Sequence, residues 1–126
     1  KKQAEARKKP ERVEGTLSCE LPKTLVKKND IHITSKRNFD CFQDTELDML
    51  LKRTLDVKNI IICGVNTDTC VYGTTFGASN RGYNPIVIEC CTGSMRGEDQ
   101  HKTALKIMSQ SIAWVMKKEE ILNKLN

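Results

Sequence analysis

A chain of 126 residues with 38% hydrophobic and 29% charged residues is long enough for one domain with a real core and short for two. Its formal charge of +5 gathers at the start, where residues 1–12 hold six basic side chains against Glu5 and Glu11. This arm reads as a solvated helix face or frayed end, and no nucleic-acid partner is expected. No run of about 18 apolar residues could span a bilayer, and no charged start followed by an apolar stretch and a small-residue cleavage site is visible. The expectation is a cytoplasmic chain with no membrane partner, whose six cysteines stay reduced.

Beyond that arm, residues 13–126 read as a single domain, and its elements follow in order. Asp30-Ile-His-Ile-Thr-Ser alternates apolar and polar residues like a strand. Thr45-Glu-Leu-Asp opens a helix with a capping-box-like arrangement, placing Leu47, Leu50 and Leu51 on one face. Val57 to Asn66 is a continuous β-branched run ended by glycine, the pattern of a central parallel strand buried on both faces. Residues 67–84 suffice for one crossover helix, on which Tyr72 and Phe76 take ordinary core or interface spacing. The run Asn84-Pro-Ile-Val-Ile-Glu-Cys-Cys is a second strand that tolerates Pro85 only because it lies at the beginning. Glu98 to Gln110 places Ala104, Leu105 and Met108 on one helix face, Ile112 to Met116 is another strand, and Lys118 to Leu125 a terminal helix. Alternating strands and helices predict the α/β class, a three-layer α/β/α sandwich with a mainly parallel sheet.

Ligands in such folds bind beyond the carboxyl ends of the strands, which points to Gly64-Val-Asn-Thr-Asp-Thr-Cys70-Val. A thiol at the first turn of a helix meets unpaired N–H groups and the positive end of the macrodipole, which favour a thiolate and can receive an oxyanion. Other reactive residues read more plainly. Cys90 and Cys91 are expected to be partly buried packing residues rather than a redox pair, and His101 a surface or capping histidine. Gly77 to Gly82 ends a helix instead of following a strand, so it is no phosphate loop. With no C-x-x-C pair and only His32 and His101, far apart in sequence, no metal or other cofactor is expected.

The string from Gly64 to Val71, with Thr74, Ala78 and Arg81-Gly82-Tyr83, resembles the nucleophile motif of isochorismatase-like cysteine hydrolases, a group that includes nicotinamidases, N-carbamoylsarcosine amidases and biuret hydrolases. Lys36-Arg-Asn-Phe-Asp-Cys-Phe42, followed by Thr45-Glu-Leu47, is similar to the family's lysine motif. Glu14-Gly15-Thr16 with Glu20-Leu21 is similar to the turn before it. The resemblance implies Cys70 as nucleophile and Lys36 as the catalytic cation. It further implies backbone N–H groups of Asn66 and Cys70 as an oxyanion hole, a cis peptide at Val65-Asn66, and Phe42 and Thr69 as substrate contacts. The implied reaction is hydrolysis of a C–N bond in a small amide, carbamoyl or ureido compound through a thioester, in a homo-oligomer.

The family's third catalytic residue, an aspartate ending the first strand, has no counterpart. Asp30, Asp40, Asp44 and Asp68 lie in segments that align elsewhere. The expectation is that an amino-terminal part of the domain is absent from this chain and that the chain alone is weak or inactive, since general acid–base help is worth about 10² to 10⁴-fold. The alternative is a non-catalytic subunit or interaction module.

Overall fold

The computed structural model describes residues 15–125, so the basic arm over residues 1–12 lies outside the described residues. Two compact units divide the chain, Lys1–His32 and Ile33–Asn126. In the first, a 3-10 turn at Leu17–Cys19 is followed by turns closed by Leu25 N donating to the Pro22 carbonyl (2.8 Å) and Asp30 N to the Lys27 carbonyl (3.1 Å).

The second unit holds the layered architecture. A short helix α1 (Leu47–Met49) runs into a wider turn over Leu50–Thr54, and β1 is Asn59–Val65. After a helical turn at Thr67–Val71 come α2 (Tyr72–Asn80), β2 (Asn84–Gly93), α3 (Glu98–Ser111), β3 (Trp114–Met116) and α4 (Lys118–Leu125). The strands form a parallel sheet in the order β1-β2-β3, with Ile61 opposite Ile86 and Ile86 opposite Trp114. Pro85 stands second in β2, and Asn84 N supplies a ladder bond just before it, to the Lys58 carbonyl at 2.8 Å.

Strand alternation sorts the apolar residues between the faces. Ile62 and Val87 join Val71, Ala78, Ala104, Leu105 and Met108 in the main core, with Ile60 and Val115 packed against it. Ile88 and Ile121 are buried outside that cluster, and α4 packs on β2. Helices therefore cover both faces, giving the α/β three-layer sandwich.

Three expectations need correction. Residues 30–35 form no strand, because alternation marks only a face that could be buried, and a strand exists only where a neighbour takes its backbone bonds. β1 is an edge strand and β2 the central one among the described residues; Ile61 and Val65 remain 45% and 56% exposed despite the apolar run. The capping box is not formed either. Thr45 Oγ1 donates to the Cys41 carbonyl (2.5 Å) and accepts only a long bond from Leu47 N (3.4 Å), while Asp48, the acidic member, accepts from the Tyr83 hydroxyl (2.8 Å).

Two interlocks hold the periphery to this core. The Asp40 carboxylate accepts from Phe42 N (2.8 Å) and pairs with Arg81 Nη1 (3.4 Å), while Arg81 also donates to the Gly77 carbonyl (3.0 Å). A Cβ on Gly77 would stand 2.6 Å from Asp40 Cγ, so only glycine admits this approach. Tyr83, stacked on Phe42 at 5.6 Å between ring centres, donates to Asp48 Oδ1 at 2.8 Å. Burial first, and then the Asp48 hydrogen bond and charge, push the Tyr83 hydroxyl up to about 12.

Gly77→Ala is expected to lower the urea midpoint: overpacking costs about 1–3 kcal/mol, more than the roughly 1 kcal/mol of helix propensity that alanine adds. Tyr83 sets an alkaline limit. Its folded pKa lies above the ordinary value of 10.0, so its contribution is whole below that pH and disappears as pH rises through about 12. The thermal midpoint should fall across this window, and Tyr83→Phe, measured by circular dichroism, should fall less steeply.

Candidate active site

β1 ends at Gly64 and Val65, at the carboxyl edge of the sheet where α/β folds place their ligands. Gly64 has φ +126°, a region glycine enters without steric cost, and the Val65–Asn66 peptide is cis. Asn66 then starts the helical turn Thr67–Val71 with extended backbone (φ −93°, ψ 144°). Its carbonyl accepts from Thr69 N (3.1 Å) and Val71 N (3.0 Å), the residues on either side of Cys70. Cys70 lies inside this turn, partly exposed, with a free thiol.

The Asn66 side chain makes no cap hydrogen bond, and this leaves it available for another segment. Asn66 Oδ1 accepts from Met95 N at 3.0 Å. Thr67 Oγ1 and His101 Nδ1 are hydrogen-bonded at 2.8 Å, both residues buried. The Asp68 carboxylate accepts from Ser94 Oγ at 2.6 Å and pairs with Arg96 Nη1. Three consecutive side chains of the turn thus grip one strap, residues 94–101, which joins β2 to the first turn of α3. The Ser94 hydrogen bond holds the Asp68 carboxyl below the usual carboxylate range; partial burial opposes this and Arg96 reinforces it.

His101 is therefore buried, 8% exposed, and is not the surface or capping residue expected. The signal was present: His101 precedes Ala104, Leu105 and Met108 at i+3, i+4 and i+7, in line with the buried stripe of α3. The strap's other contacts have no spacing signature, because Ser94 and Arg96 reach Asp68 across 26 and 28 residues of sequence.

Lys36 lies in the extended stretch at the start of the second unit, partly buried, and among the described residues its ammonium has no ion-pair or hydrogen-bond partner. Its segment docks on the helix that follows Cys70. Thr74 Oγ1 accepts from Cys41 N (3.1 Å) and donates to the Phe39 carbonyl (3.3 Å). A Cβ on Gly73 would lie at ordinary contact distance, 3.5 Å, from Asp40 N. Phe39 follows Lys36 by three residues, and Thr74 follows Cys70 by four. Phe42 is 4% exposed, its ring engaged by Tyr83 and by the Arg81 guanidinium at 4.9 Å. Thr69 is partly exposed beside Cys70. Among the described residues no group of three or more His, Cys, Asp or Glu side chains is placed to hold a metal, and no helix is long and apolar enough to cross a membrane.

The isochorismatase domain family matches residues 1–120. The isochorismatase family protein YecD of Escherichia coli O157:H7 is 33% identical over 97 residues, covering 77% of this chain and 50% of that protein. YwoC of Bacillus subtilis strain 168, of the same family, is 28% identical over 105 residues, covering 83% and 54%. An isochorismatase-like hydrolase from Alkaliphilus metalliredigens superposes with a TM-score of 0.83 at 27% identity, over 91% of this chain and 63% of that one. A nicotinamidase from Staphylococcus aureus gives a TM-score of 0.61 at 35% identity, over 65% and 50%. The chain spans about half the length of the curated relatives it matches. With its family match, its parallel sheet and its Gly64 to Val71 turn, the chain belongs to the isochorismatase family, whose solved members include hydrolases such as nicotinamidases.

Proposed function

We propose that the protein is a cysteine hydrolase that cleaves the C–N bond of a small amide, carbamoyl or ureido compound, with Cys70 as nucleophile. The observation that carries this reading is a partly exposed thiol at the carboxyl edge of a parallel sheet, in a turn tied to one strap by the side chains of Asn66, Thr67 and Asp68. Similarity to a nicotinamidase supports the amide class of substrate.

Each residue then has a chemical task. Cys70 Sγ attacks the carbonyl carbon; the tetrahedral intermediate collapses with loss of ammonia or an amine, and water hydrolyses the thioester. The N–H groups of Asn66 and Cys70 receive the oxyanion, a contribution of roughly 3–4 kcal/mol per donor. The Lys36 ammonium, unpaired among the described residues, offsets the negative charge that forms on attack. Thr69 borders the substrate beside Cys70, and Phe42 backs the Lys36 segment from the core. His101 acts one step removed, as a positioning residue that fixes Thr67. No aspartate among residues 15–125 takes the role of proton carrier, so a complete catalytic set calls for a further acid–base group. A copy of the chain assembled into a homo-oligomer is part of the same reading.

Ammonia release from nicotinamide, biuret and N-carbamoyl amino acids tests the proposal on the full-length protein. At least one substrate should be turned over, Cys70→Ala should abolish release, and Lys36→Met should lower kcat/KM about 100-fold or more. If wild type and Cys70→Ala are equally inert on every compound, the non-catalytic subunit reading replaces this one. Iodoacetamide below one equivalent should label Cys70 ahead of the other five cysteines. His101→Ala leaves the buried Thr67 hydroxyl without its partner, a loss of about 1–3 kcal/mol in stability. It should also depress kcat more than it raises KM, with partial recovery in His101→Gln; equal kinetics in all three proteins would remove the positioning role.

A further inference from the structure

The carboxyl edge of the sheet carries a second group of thiols, outside the Cys70 turn. β1 and β2 pair in register from Asn59 opposite Asn84 to Ile62 opposite Val87, and again at Gly64 opposite Thr92 and Val65 opposite Gly93. Between the two runs β1 has the single residue Cys63, while β2 has residues 88–91. Cys63 and Cys91 therefore each stand one residue before the same cross-strand couple, Gly64 and Thr92, on parallel neighbours. Residues at equal level on parallel strands direct their side chains to the same face.

Both thiols are exposed, and so is Cys90, so the expectation that Cys90 and Cys91 are packing residues is not met. The extra length of β2 at the irregularity carries them off the packed part of the sheet. Cys90 and Cys91 are an unfavourable pair with each other, since successive strand residues point to opposite faces. Burial first, and then the neighbouring Cys91 and, less, Cys90 thiols, raise the Cys63 thiol above its ordinary value.

We propose that Cys63 and Cys91 are a peroxide-sensitive dithiol that closes to a disulfide across β1 and β2. In the first step the Cys91 thiolate attacks a peroxide oxygen: an S–O bond forms, the O–O bond breaks, and hydroxide leaves and is protonated to water. In the second the Cys63 thiolate attacks the Cys91 sulfenic sulfur: the S–S bond forms, the S–O bond breaks, and a second water leaves. The two thiols supply two electrons and one peroxide accepts them. The closed bond joins the roots of the two segments that meet at the active turn, because Asn66 follows Cys63 by three residues and Ser94 follows Cys91 by three.

Hydrogen peroxide in a few-fold excess over the full chain tests this, with remaining thiols blocked and trypsin digestion without reduction. Cys63 falls in the peptide 59–81 with Cys70, and Cys91 in the peptide 82–96 with Cys90. The expected product migrates as a single chain on a non-reducing gel and yields these two peptides joined, with fragment ions locating the bond at Cys63 and Cys91. The joined species should persist in Cys70→Ser and Cys90→Ser and vanish in Cys63→Ser and Cys91→Ser. A bond mapped to Cys70 or Cys90, a bond found only between two chains, or oxidation that stops at sulfinic and sulfonic acids overturns the proposal. The wild-type fragment map decides the matter even if a serine variant folds poorly.

Discussion

The hydrogen bonds from Asn66, Thr67 and Asp68 to residues 94–101 are the constraint on which the rest of the site depends. A strand-to-helix turn is ordinarily the loosest part of a βαβ unit, since it packs on one side only and carries unpaired backbone groups at both ends. Here three successive side chains spend their polar atoms on a second segment. That segment is anchored in turn by α3, whose Ala104, Leu105 and Met108 lie in the core. The position of Cys70 is thereby referred to the packed body of the protein, and the buried Thr67–His101 bond is the link that water cannot replace.

Much of this architecture was legible in the chain. β2, α3 and α4 lie within a few residues of where apolar periodicity places them, because their period matches a face that is in fact buried: Val87, Met108 and Ile121 each sit at the centre of their pattern. The elements that differ from their patterns share a cause. The patterns over 30–35 and in β1 show what a segment can bury, whereas strand pairing, which among the described residues leaves 30–35 unpaired and β1 at an edge, depends on what lies alongside. The same holds in the site. Cys70 and Lys36 stand in recognisable strings, but the Ser94, Arg96 and His101 contacts join residues 26 to 34 apart in the chain.

Edge position gives β1 an unusual balance. Ile62 is buried while Ile61 and Val65 are exposed, so the strand's apolar character is used on one face only. Among the described residues β1 has a single neighbour and hence a single ladder of backbone bonds. Its carboxyl end is therefore held less by the sheet than by the turn that follows it, and the irregularity opposite Cys63 falls where that hand-over occurs.

The electrostatics around Cys70 follow from the same set of contacts. Asp68, two residues before Cys70, would oppose negative charge on its sulfur or on an attacked carbonyl if it stood alone. Ser94 and Arg96 occupy its oxygens, so the nearest carboxylate in sequence is already neutralised by the strap that positions the turn. Lys36 differs in having no carboxylate partner among the described residues, although Asp40 and Asp44 lie within eight residues of it; Asp40 is paired with Arg81, and Asp44 receives the Asn38 amide at 3.5 Å. Under the proposed reaction, an anion already paired beside Cys70 and a Lys36 ammonium without a partner among the described residues would both favour a step that creates negative charge. The hydrogen bonds that make the turn rigid and those that set its charge are thus the same bonds, and loss of Ser94 or Arg96 would disturb both together.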